Sequence, residues 1–359
     1  MEKCGTNLPM REGPKRPANP MTKPLKVGVM GAGAIGCFVG GQLAARGVSV
    51  VLVGRERLRA EIEATGLVLK DLDGATTTVR EVGFALDASA LADCGVVLCC
   101  VKSPTTAKTG EALAPVLARG AVVVSLQNGV RNSEVLRSHL PKQTVLGAVV
   151  GFNVVAPGAG VFRRTTSGPL VIQESSEECI AALAKELRSR FEVELVRDIR
   201  AFQYAKLVMN VNNAVGALSD VPTRDLLFEP GYRRIIAALM GEALGVMRSA
   251  GIRPARLGPL PPWVLPLALR LPTPLLRLVA RAQLKIDPEA RSSMWDDLSK
   301  GRLTEVDDLN GEIVHLAETS GVKAPLNQRV VELVHEVEKS AAGSPKLSAA
   351  ALWAALHRP

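Results

Sequence analysis

The fold of this chain is decided by the stretch Gly31-Ala32-Gly33-Ala34-Ile35-Gly36, which directly follows an apolar run at 25–30. A short strand that leads through G-x-G-x-x-G into a helix is the first turn of a dinucleotide-binding domain. The first glycine permits the tight turn, the second lets the backbone approach a pyrophosphate, and the third lets helix and strand pack closely. Residues 37–46 suit that helix, and Gly47 ends it. We therefore predict that all residues of the motif bind the cofactor; the alternative is a glycine-rich loop of structural use only.

The end of the next predicted strand indicates which dinucleotide is bound. An apolar run at 48–53 leads into Gly54-Arg55-Glu56-Arg57. A carboxylate at this place binds the ribose 2′-hydroxyl of NAD, whereas a guanidinium binds the 2′-phosphate of NADP. Arg55 lies about 20 residues after the motif, where the ribose-binding residue is expected. We therefore predict NADP(H). If the strand end were shifted by one residue, Glu56 would take this place and favour NAD(H). The other alternative is that Arg55 is a solvated residue at the start of the helix.

Composition restricts the class of protein. The chain has 359 residues, 47% of them hydrophobic, and a net charge of +9, which suits an anionic, phosphate-rich ligand. Basic residues are scattered and aromatic residues make up only 3%, so we expect no nucleic-acid partner. The six cysteines and four histidines show no metal-ligand spacing. We therefore predict a cytoplasmic protein with reduced thiols and no bound metal.

Two segments, at 1–24 and 261–284, do not have the composition of ordinary strands or helices of a globular domain. Residues 1–24 carry prolines and charges without the apolar core of a signal peptide, which predicts a disordered leader. The stretch 261–284 is apolar but contains Arg270, Arg277 and Arg281, so it lacks the roughly 20 uninterrupted apolar residues of a membrane helix. We expect it to be a helical insertion that covers the substrate domain or forms an oligomer contact, with shallow membrane association as the alternative. A homodimer is one possibility.

The order of strands and helices predicts two domains. Apolar strand patterns alternate with helical stretches up to about residue 197, which predicts a Rossmann-type, doubly wound parallel sheet. Helical patterns follow, so an all-helical C-terminal domain is expected. The fold class is therefore α/β, with an NADP-binding domain at 25–197, a helical substrate domain at 198–345 and a fraying tail at 346–359. Strands are predicted at 26–30, 48–53, 95–101, 121–126 and 145–150, and helices at 37–46, 106–118, 201–218, 232–250, 302–319 and 328–341.

Two residues directly follow predicted strands of the sheet. Asn128 follows the fourth strand in the sequence Gln127-Asn128-Gly129, and Lys102 follows the third. Loops at the carboxyl ends of parallel strands line the ligand crevice. We predict that Lys102 and Asn128 border the cofactor, although Asn-Gly is also ordinary turn chemistry.

A polar stripe lies on the first predicted helix of the second half. Lys206, Asn210 and Asn213 are spaced i, i+4 and i+7, which places them on one face of a continuous helix among Leu, Val, Met and Ala. Such a stripe suits a polar cleft in apolar surroundings. A lysine there can donate a proton to a developing alkoxide, and asparagine can bind a carboxylate or hydroxyl. The alternative is a solvated face with capping asparagines.

A second cluster of polar residues follows at 292–311. Ser293 with Asp296, and Thr304 with Asp307, resemble the N-terminal capping pairs of two successive helices. In one unbroken helix Ser293 and Glu305 would lie roughly 18 Å apart, too far for one small ligand. A break near Gly301 would bring both to one cleft.

These four stretches together resemble the ketopantoate reductase (2-dehydropantoate 2-reductase) family over about residues 25–340. The resemblance rests on GAGAIG at 31–36, QNG at 127–129, AKLVMNVNNAVGAL at 205–218, and SSMWDDL with TEVDDLNG within 292–311. It implies NADPH-dependent reduction of 2-dehydropantoate to (R)-pantoate, in pantothenate and coenzyme A biosynthesis.

The resemblance also implies roles for single residues. Lys206 matches the catalytic lysine, and Glu305 matches the acidic residue that orients substrate and lysine. Asn210 and Ser293 match substrate-binding positions, Asn128 matches the asparagine near nicotinamide and substrate, and Arg55 matches the 2′-phosphate reader. One departure concerns the substrate: many members carry a second asparagine eight residues after the lysine, where this chain has Ala214 and places Asn212 and Asn213 before it. The stretch 258–286 is also longer than in compact members.

Two other functions remain open. A reductase of the same fold that acts on another 2-oxo or branched acid is favoured by the asparagine shift and the longer stretch. A protein that binds NADP(H) as a sensor without turnover is less consistent with Lys206 and Glu305, because a sensor needs no proton donor.

Overall fold

The computed structural model describes residues 24–258, 260–280 and 290–358. The predicted leader, apart from residue 24, and parts of the long stretch at 258–286 lie outside the described residues. The α/β fold class is confirmed: a sheet domain with mostly parallel strands precedes a region of helices. No helix in the described ranges is long and apolar enough to cross a membrane.

The sheet domain contains twelve strands and five α-helices among the described residues. Five of the strands match the predicted ones with boundaries shifted by a few residues, and the other seven were not predicted. In chain order they are β1 (Lys26–Met30), α1 (Ala34–Ala44), β2 (Ser49–Val53), α2 (Glu56–Thr65), β3 (Leu67–Lys70), β4 (Thr76–Val79), β5 (Gly83–Ala85), β6 (Val96–Cys99), α3 (Thr106–Leu113), β7 (Val122–Ser125), α4 (Asn132–His139), β8 (Thr144–Val150), β9 (Val154–Gly158), β10 (Val161–Arg164), β11 (Leu170–Gln173), α5 (Glu178–Leu187) and β12 (Val193–Val196).

The main sheet has the strand order β12-β11-β8-β7-β6-β1-β2-β5. All neighbours are parallel except β8 and β11. The chain winds from β1 towards β5 on one side and from β6 towards β12 on the other. The topological switch point therefore lies between β1 and β6, and ligands of such sheets bind outside the carboxyl ends of the strands there.

A second, four-stranded sheet with the order β4-β3-β10-β9 is absent from the sequence prediction. It packs against α1, whose Gly41 faces Leu67 and Leu69 of β3 so closely that an added Cβ would lie 2.7 Å from a Leu67 methyl group. The small sheet therefore covers the outer face of the cofactor helix.

The helices of the second half enclose their own apolar core. They are α6 (Ile199–Asn210), α7 (Asn213–Ser219), α8 (Thr223–Phe228), α9 (Pro230–Ser249), α10 (Leu265–Leu269), α11 (Thr273–Ala280), α12 (Ser293–Ser299), α13 (Asn310–Thr319), α14 (Pro325–Ser340) and α15 (Ala349–Leu356). Leu352 of α15 is fully buried in this core. The prediction that the last residues fray is therefore wrong, since α15 packs against α9.

Two predicted helices and two predicted capping residues require correction. The predicted helix at 201–218 is two helices, because the α-helix stops at Asn210 and resumes at Asn213. The predicted helix at 302–319 begins only at Asn310, after a run of turns. The cap of α12 is Ser292, whose Oγ accepts from the Trp295 N–H at 3.1 Å, so Ser293 is not the capping residue. Thr304 caps no helix, and its Oγ1 accepts from the Val306 N–H.

Candidate active site

The glycine motif forms a turn that leaves room for a ligand. Gly31 has a φ of +102°, and an added Cβ would lie 2.8 Å from the backbone nitrogen of Val101. At Gly36 an added Cβ would lie within 3 Å of β1 at the Val29 side chain, so the helix can approach the strand only without a side chain there. At Gly33, by contrast, an added Cβ would meet nothing within 4 Å. The second glycine thus faces open space, as a backbone that admits a pyrophosphate requires.

The first turn of α1 also has the features of an anion-binding site. Gly33 is its N-cap, no side chain caps the helix, and no acidic residue lies in the first turn. The first N–H groups of a helix lack intrahelical partners and carry the positive end of the helix dipole. The residues present therefore fit the phosphates of a dinucleotide.

Arg55 lies at the end of β2, as the N-cap of α2, with its side chain exposed. It forms no ion pair with any residue of the described ranges. Its neighbours do: Arg57 lies 3.6 Å from Glu61, and Glu56 lies 3.8 Å from Arg59. Of the charged groups at this strand end, Arg55 is thus available to a ligand phosphate, while Glu56 faces a cation of its own helix.

Lys206 reaches the carboxyl end of the sheet from the helical half. It lies on α6, which packs against β8, and its Nζ donates a hydrogen bond to the Val150 carbonyl oxygen at 2.6 Å. Burial lowers the pKa of Lys206 from its ordinary value to about 8, although Glu305 opposes this effect. An ammonium group with a pKa near neutrality is suited to donate a proton during turnover.

Glu305 is held by residues of the sheet domain. It is 5% exposed, and its carboxylate accepts hydrogen bonds from the Ser103 N–H and Oγ, at 3.3 and 3.1 Å, and from Asn128 Nδ2 at 3.1 Å. Burial opposes ionisation, but Lys102 and these hydrogen bonds outweigh it and hold the pKa of Glu305 below its usual value. Glu305 is therefore an anion that connects the turn after α12 to the loops after β6 and β7.

Lys102, whose side chain is half exposed, lies beside two carboxylates. Its Nζ is 2.8 Å from Asp297 of α12 and 3.6 Å from Glu305. Burial alone would lower its pKa, but Glu305 and Asp297 outweigh it and raise the pKa of Lys102. The lysine thus joins the sheet domain to the helical half at the mouth of the crevice.

A narrow pocket lies where these elements meet. Its wall is formed by residues after β7, by β8 and by α6. Lys206 and Asn210 line it one turn apart, and Asn128 closes it from the sheet side. The lining residues are Gln127, Asn128, Gly129, Ala148, Val149, Gln203, Lys206, Leu207 and Asn210.

The structure brings some predicted site residues together and leaves others aside. Lys206, Asn210 and Asn128 share the pocket, and Glu305 bonds to Asn128. Asn213 does not line the pocket, because the helix is interrupted before it, and its carbonyl oxygen accepts from Ser292 Oγ at 3.0 Å. Ser293, the exposed first residue of α12, does not line it either. The gap between α12 and α13 near Gly301 agrees with the expected break.

Three residues of the site were missed in the sequence. Ser103 follows Lys102 at the end of the third strand, which could have indicated it. Asp297 lies within the Ser-Ser-Met-Trp-Asp-Asp-Leu stretch, but its partner Lys102 is 195 residues away. Gln203 lies one helical turn before Lys206, and that spacing could have placed it on the same face. Over the described residues, no group of His, Cys, Asp and Glu could hold a metal ion.

A glycine-rich strand-to-helix turn and a partly buried lysine, both at the carboxyl end of a parallel sheet, are typical of a nicotinamide-dependent oxidoreductase. The family model described as ketopantoate reductase PanE/ApbA matches residues 27–177, and the model of its C-terminal part matches residues 198–338. The chain belongs to the ketopantoate reductase family.

Individual relatives agree with this membership. The 2-dehydropantoate 2-reductase of Archaeoglobus fulgidus is 30% identical over 327 residues, covering 87% of this chain and 98% of the relative. That of Halobacterium salinarum is 28% identical, covering 88% and 99%. A crystal structure of a PanE/ApbA family ketopantoate reductase from Ralstonia eutropha JMP134 has 35% identity and a TM-score of 0.75, covering 88% and 99%. D-mandelate dehydrogenase in ternary complex with NADH and anilino(oxo)acetate has the same TM-score and coverage at 22% identity, a likeness of fold alone.

Proposed function

We propose that this protein reduces 2-dehydropantoate (ketopantoate) to (R)-pantoate with NADPH, in pantothenate and coenzyme A biosynthesis. The observation that carries the proposal is Lys206: a partly buried ammonium with a pKa of about 8, in a small pocket at the carboxyl end of the sheet. Residues 25–197 would bind the cofactor, and the helical half would supply the acid. The cytoplasmic location, the absence of a nucleic-acid partner and the homodimer stay predictions.

The reaction needs a hydride at the ketone carbon and a proton at the ketone oxygen. The bound nicotinamide supplies the hydride. Lys206 donates the proton from Nζ to the oxygen as negative charge develops there, and the ketone becomes a secondary alcohol. Glu305 supports the charged form of Lys206 and, through Asn128, holds the loop after β7 at the pocket. Asn210, one turn from Lys206, is placed to bind a carboxylate or hydroxyl of the substrate.

The choice of NADP(H) rests on Arg55. Its exposed guanidinium follows β2 at the N-cap of α2, where the ribose of a dinucleotide is expected. The competing carboxylate, Glu56, lies 3.8 Å from the Arg59 guanidinium. Both observations support binding of a 2′-phosphate by charge-assisted hydrogen bonds.

A second candidate function is reduction of another 2-oxo or branched acid by the same chemistry. It is favoured by Ala214, which stands where many family members have an asparagine, and by the fold shared with D-mandelate dehydrogenase. A non-catalytic NADP(H) sensor is disfavoured, because burial of a lysine in a pocket has no use in mere sensing.

The proposed function is tested by following NADPH absorbance with purified protein and ketopantoate, beside NADH and a panel of other 2-oxo acids. We expect fast turnover that is selective for NADPH and for ketopantoate. Faster reduction of another 2-oxo acid would transfer the assignment to the second candidate. Tight NADPH binding without reduction of any 2-oxo acid would support the sensor.

The pH dependence of reduction follows from the state of Lys206. The ammonium is the proton donor and is lost as pH rises through its pKa of about 8. We expect kcat/KM for reduction to be level just below this pH and to fall about tenfold per pH unit above it. Oxidation of pantoate requires the neutral amine, so its rate should rise over the same range. Initial rates in both directions between about pH 6.5 and 10 test this.

Glu305→Gln supplies the matched control for the pH profile. Glu305 raises the pKa of Lys206, so its neutralisation should move the break in kcat/KM to lower pH. A break that stays in place in Glu305→Gln, or a wild-type profile without a break near pH 8, would show that another group donates the proton.

A further inference from the structure

Gln203 is a polar side chain that the packing of α6 does not explain. It is 8% exposed, it lines the pocket, and its amide has no hydrogen-bond partner within the described ranges. The amide is open to the pocket and is not sealed in the core. A side-chain amide that lines a pocket without a protein partner keeps a donor and an acceptor for a ligand. The amide is therefore placed for a ligand.

The sheet opposite Gln203 leaves space for this side chain. An added Cβ at Gly147 of β8 would lie 3.1 Å from Gln203 Nε2, a tight contact. The Gly147 N–H is itself satisfied by Gln173 Oε1 at 3.1 Å. The strand thus accommodates the amide at a glycine without forming a hydrogen bond to it.

The other amides of the pocket differ from Gln203. Gln127 is fully engaged: its Oε1 accepts from Ser125 Oγ at 3.0 Å, and its Nε2 donates to Thr106 Oγ1 at 2.6 Å. Asn128 donates to Glu305. Gln203 and Asn210 remain, one turn to either side of Lys206 on the same face of α6. A substrate whose ketone oxygen contacts Lys206 would therefore have the Gln203 amide on one side and the Asn210 amide on the other.

We propose that Gln203 is a specificity-determining residue that binds a hydrogen-bonding group on the carbon chain of the substrate. The substrate class is then a small 2-oxo acid that carries a hydroxyl, not one with a purely alkyl or aryl chain. This inference rests on the proposed function, because it takes the pocket to be that of a 2-oxo acid reductase. A site that binds a hydroxyl rejects an analogue without it, because the protein's polar group is then left unpaired.

The test is the variant Gln203→Leu, assayed with ketopantoate and with trimethylpyruvate, which is ketopantoate without its hydroxyl group. We expect wild-type kcat/KM to favour ketopantoate by about 10- to 100-fold. In Gln203→Leu the ketopantoate value should fall by a similar factor, mainly through a higher KM. The trimethylpyruvate value should change less than about threefold. The KM for NADPH should stay as in the wild type.

Controls separate a specific contact from a structural role. Met209→Leu alters a residue of the same helix that is 43% exposed, and it should behave as the wild type with both acids. Gln203→Asn keeps an amide and should retain part of the preference for ketopantoate even if Gln203→Leu folds poorly. Melting temperatures of all variants show which of them fold.

Several outcomes would overturn the inference. Equal losses with both acids would make Gln203 structural, and a raised KM for NADPH would assign its amide to the cofactor. Wild-type enzyme that reduces trimethylpyruvate as well as ketopantoate would overturn the inference and leave the reductase function standing. Wild-type enzyme that reduces no 2-oxo acid would overturn the proposed function itself.

Discussion

Lys206→Ala should lose kcat by about 10²- to 10⁴-fold, the usual contribution of a general acid, while it still binds NADPH. The reason lies in the geometry: Nζ contacts the pocket and the Val150 carbonyl, whereas the glycine loop of α1 is built without Lys206. Steady-state rates at saturating substrates measure the loss, and NADPH fluorescence titration measures binding. A variant that kept its rate would show that the acid is misassigned.

Lys206→Met distinguishes loss of the acid from loss of the fold. A lysine whose pKa is lowered in the folded state holds its proton less tightly there than in the unfolded chain, so its charge opposes folding below the unfolded pKa. Methionine keeps much of the volume and removes the charge. We expect its melting temperature at pH 7 to be no lower than that of the wild type, together with the same loss of kcat. A large fall in melting temperature would instead indicate that the lysine is structural.

Five of the eight strands of the main sheet were predictable, because they are short, apolar and separated by helical patterns. β1, β6 and β7 are buried on both faces, which gives continuous runs such as Val122-Val123-Val124. The small sheet gives no such signal. Its strand β4 reads Thr-Thr-Thr-Val and is half exposed, and β10 finds its partner β3 across about 90 residues of chain. Pairing at that distance depends on tertiary contacts, which local patterns do not contain.

The division of the predicted helix at 201–218 into α6 and α7 is a second feature that the sequence did not predict. The residues at 201–218 keep an apolar period, and the low helix propensity of Val211, Asn212 and Asn213 weakens the helix there without fixing a break. Val211 is fully buried, and its carbonyl oxygen accepts from Asn310 of α13 at 3.4 Å. The helix α7 that follows the break packs against α12. Lys206 and Asn210, before the break, line the pocket, and Asn213, after it, does not.

Residues that follow the strands of the sheet could be singled out in the sequence as candidates for the site. Their ion pairs with the helical half could not. Asn128 was indicated by its place after β7, and it lines the pocket. Lys102 was expected beside the cofactor, and the structure pairs it with Asp297 and Glu305. The sequence could not show that pairing, because the two carboxylates come from the helical half. Whether Lys102 also contacts the cofactor stays a prediction.

Arg55→Ala should weaken NADPH binding by about 10- to 100-fold and leave NADH binding within about twofold of the wild type. Charge-assisted hydrogen bonds contribute about 1.5–3 kcal/mol, and each 1.4 kcal/mol is tenfold in affinity. NADH lacks the 2′-phosphate and so has nothing to lose at this position. The measurement is the Kd of each cofactor for both proteins, with kcat at saturating NADPH expected to change little. Arg55→Lys keeps the charge without the forked geometry and should fall between the two.

Arg57→Ala is the matched control, because Arg57 is 90% exposed, pairs with Glu61 of its own helix, and follows Arg55 by two residues. It should leave both cofactors unaffected, which separates a specific phosphate contact from the general positive potential of this strand end. Equal weakening of NADPH and NADH in Arg55→Ala would refute the phosphate-binding role. A wild-type preference for NADH would point to Glu56 instead: Glu56→Ala would then weaken NADH, because the carboxylate would have to leave Arg59 to reach the ribose hydroxyl.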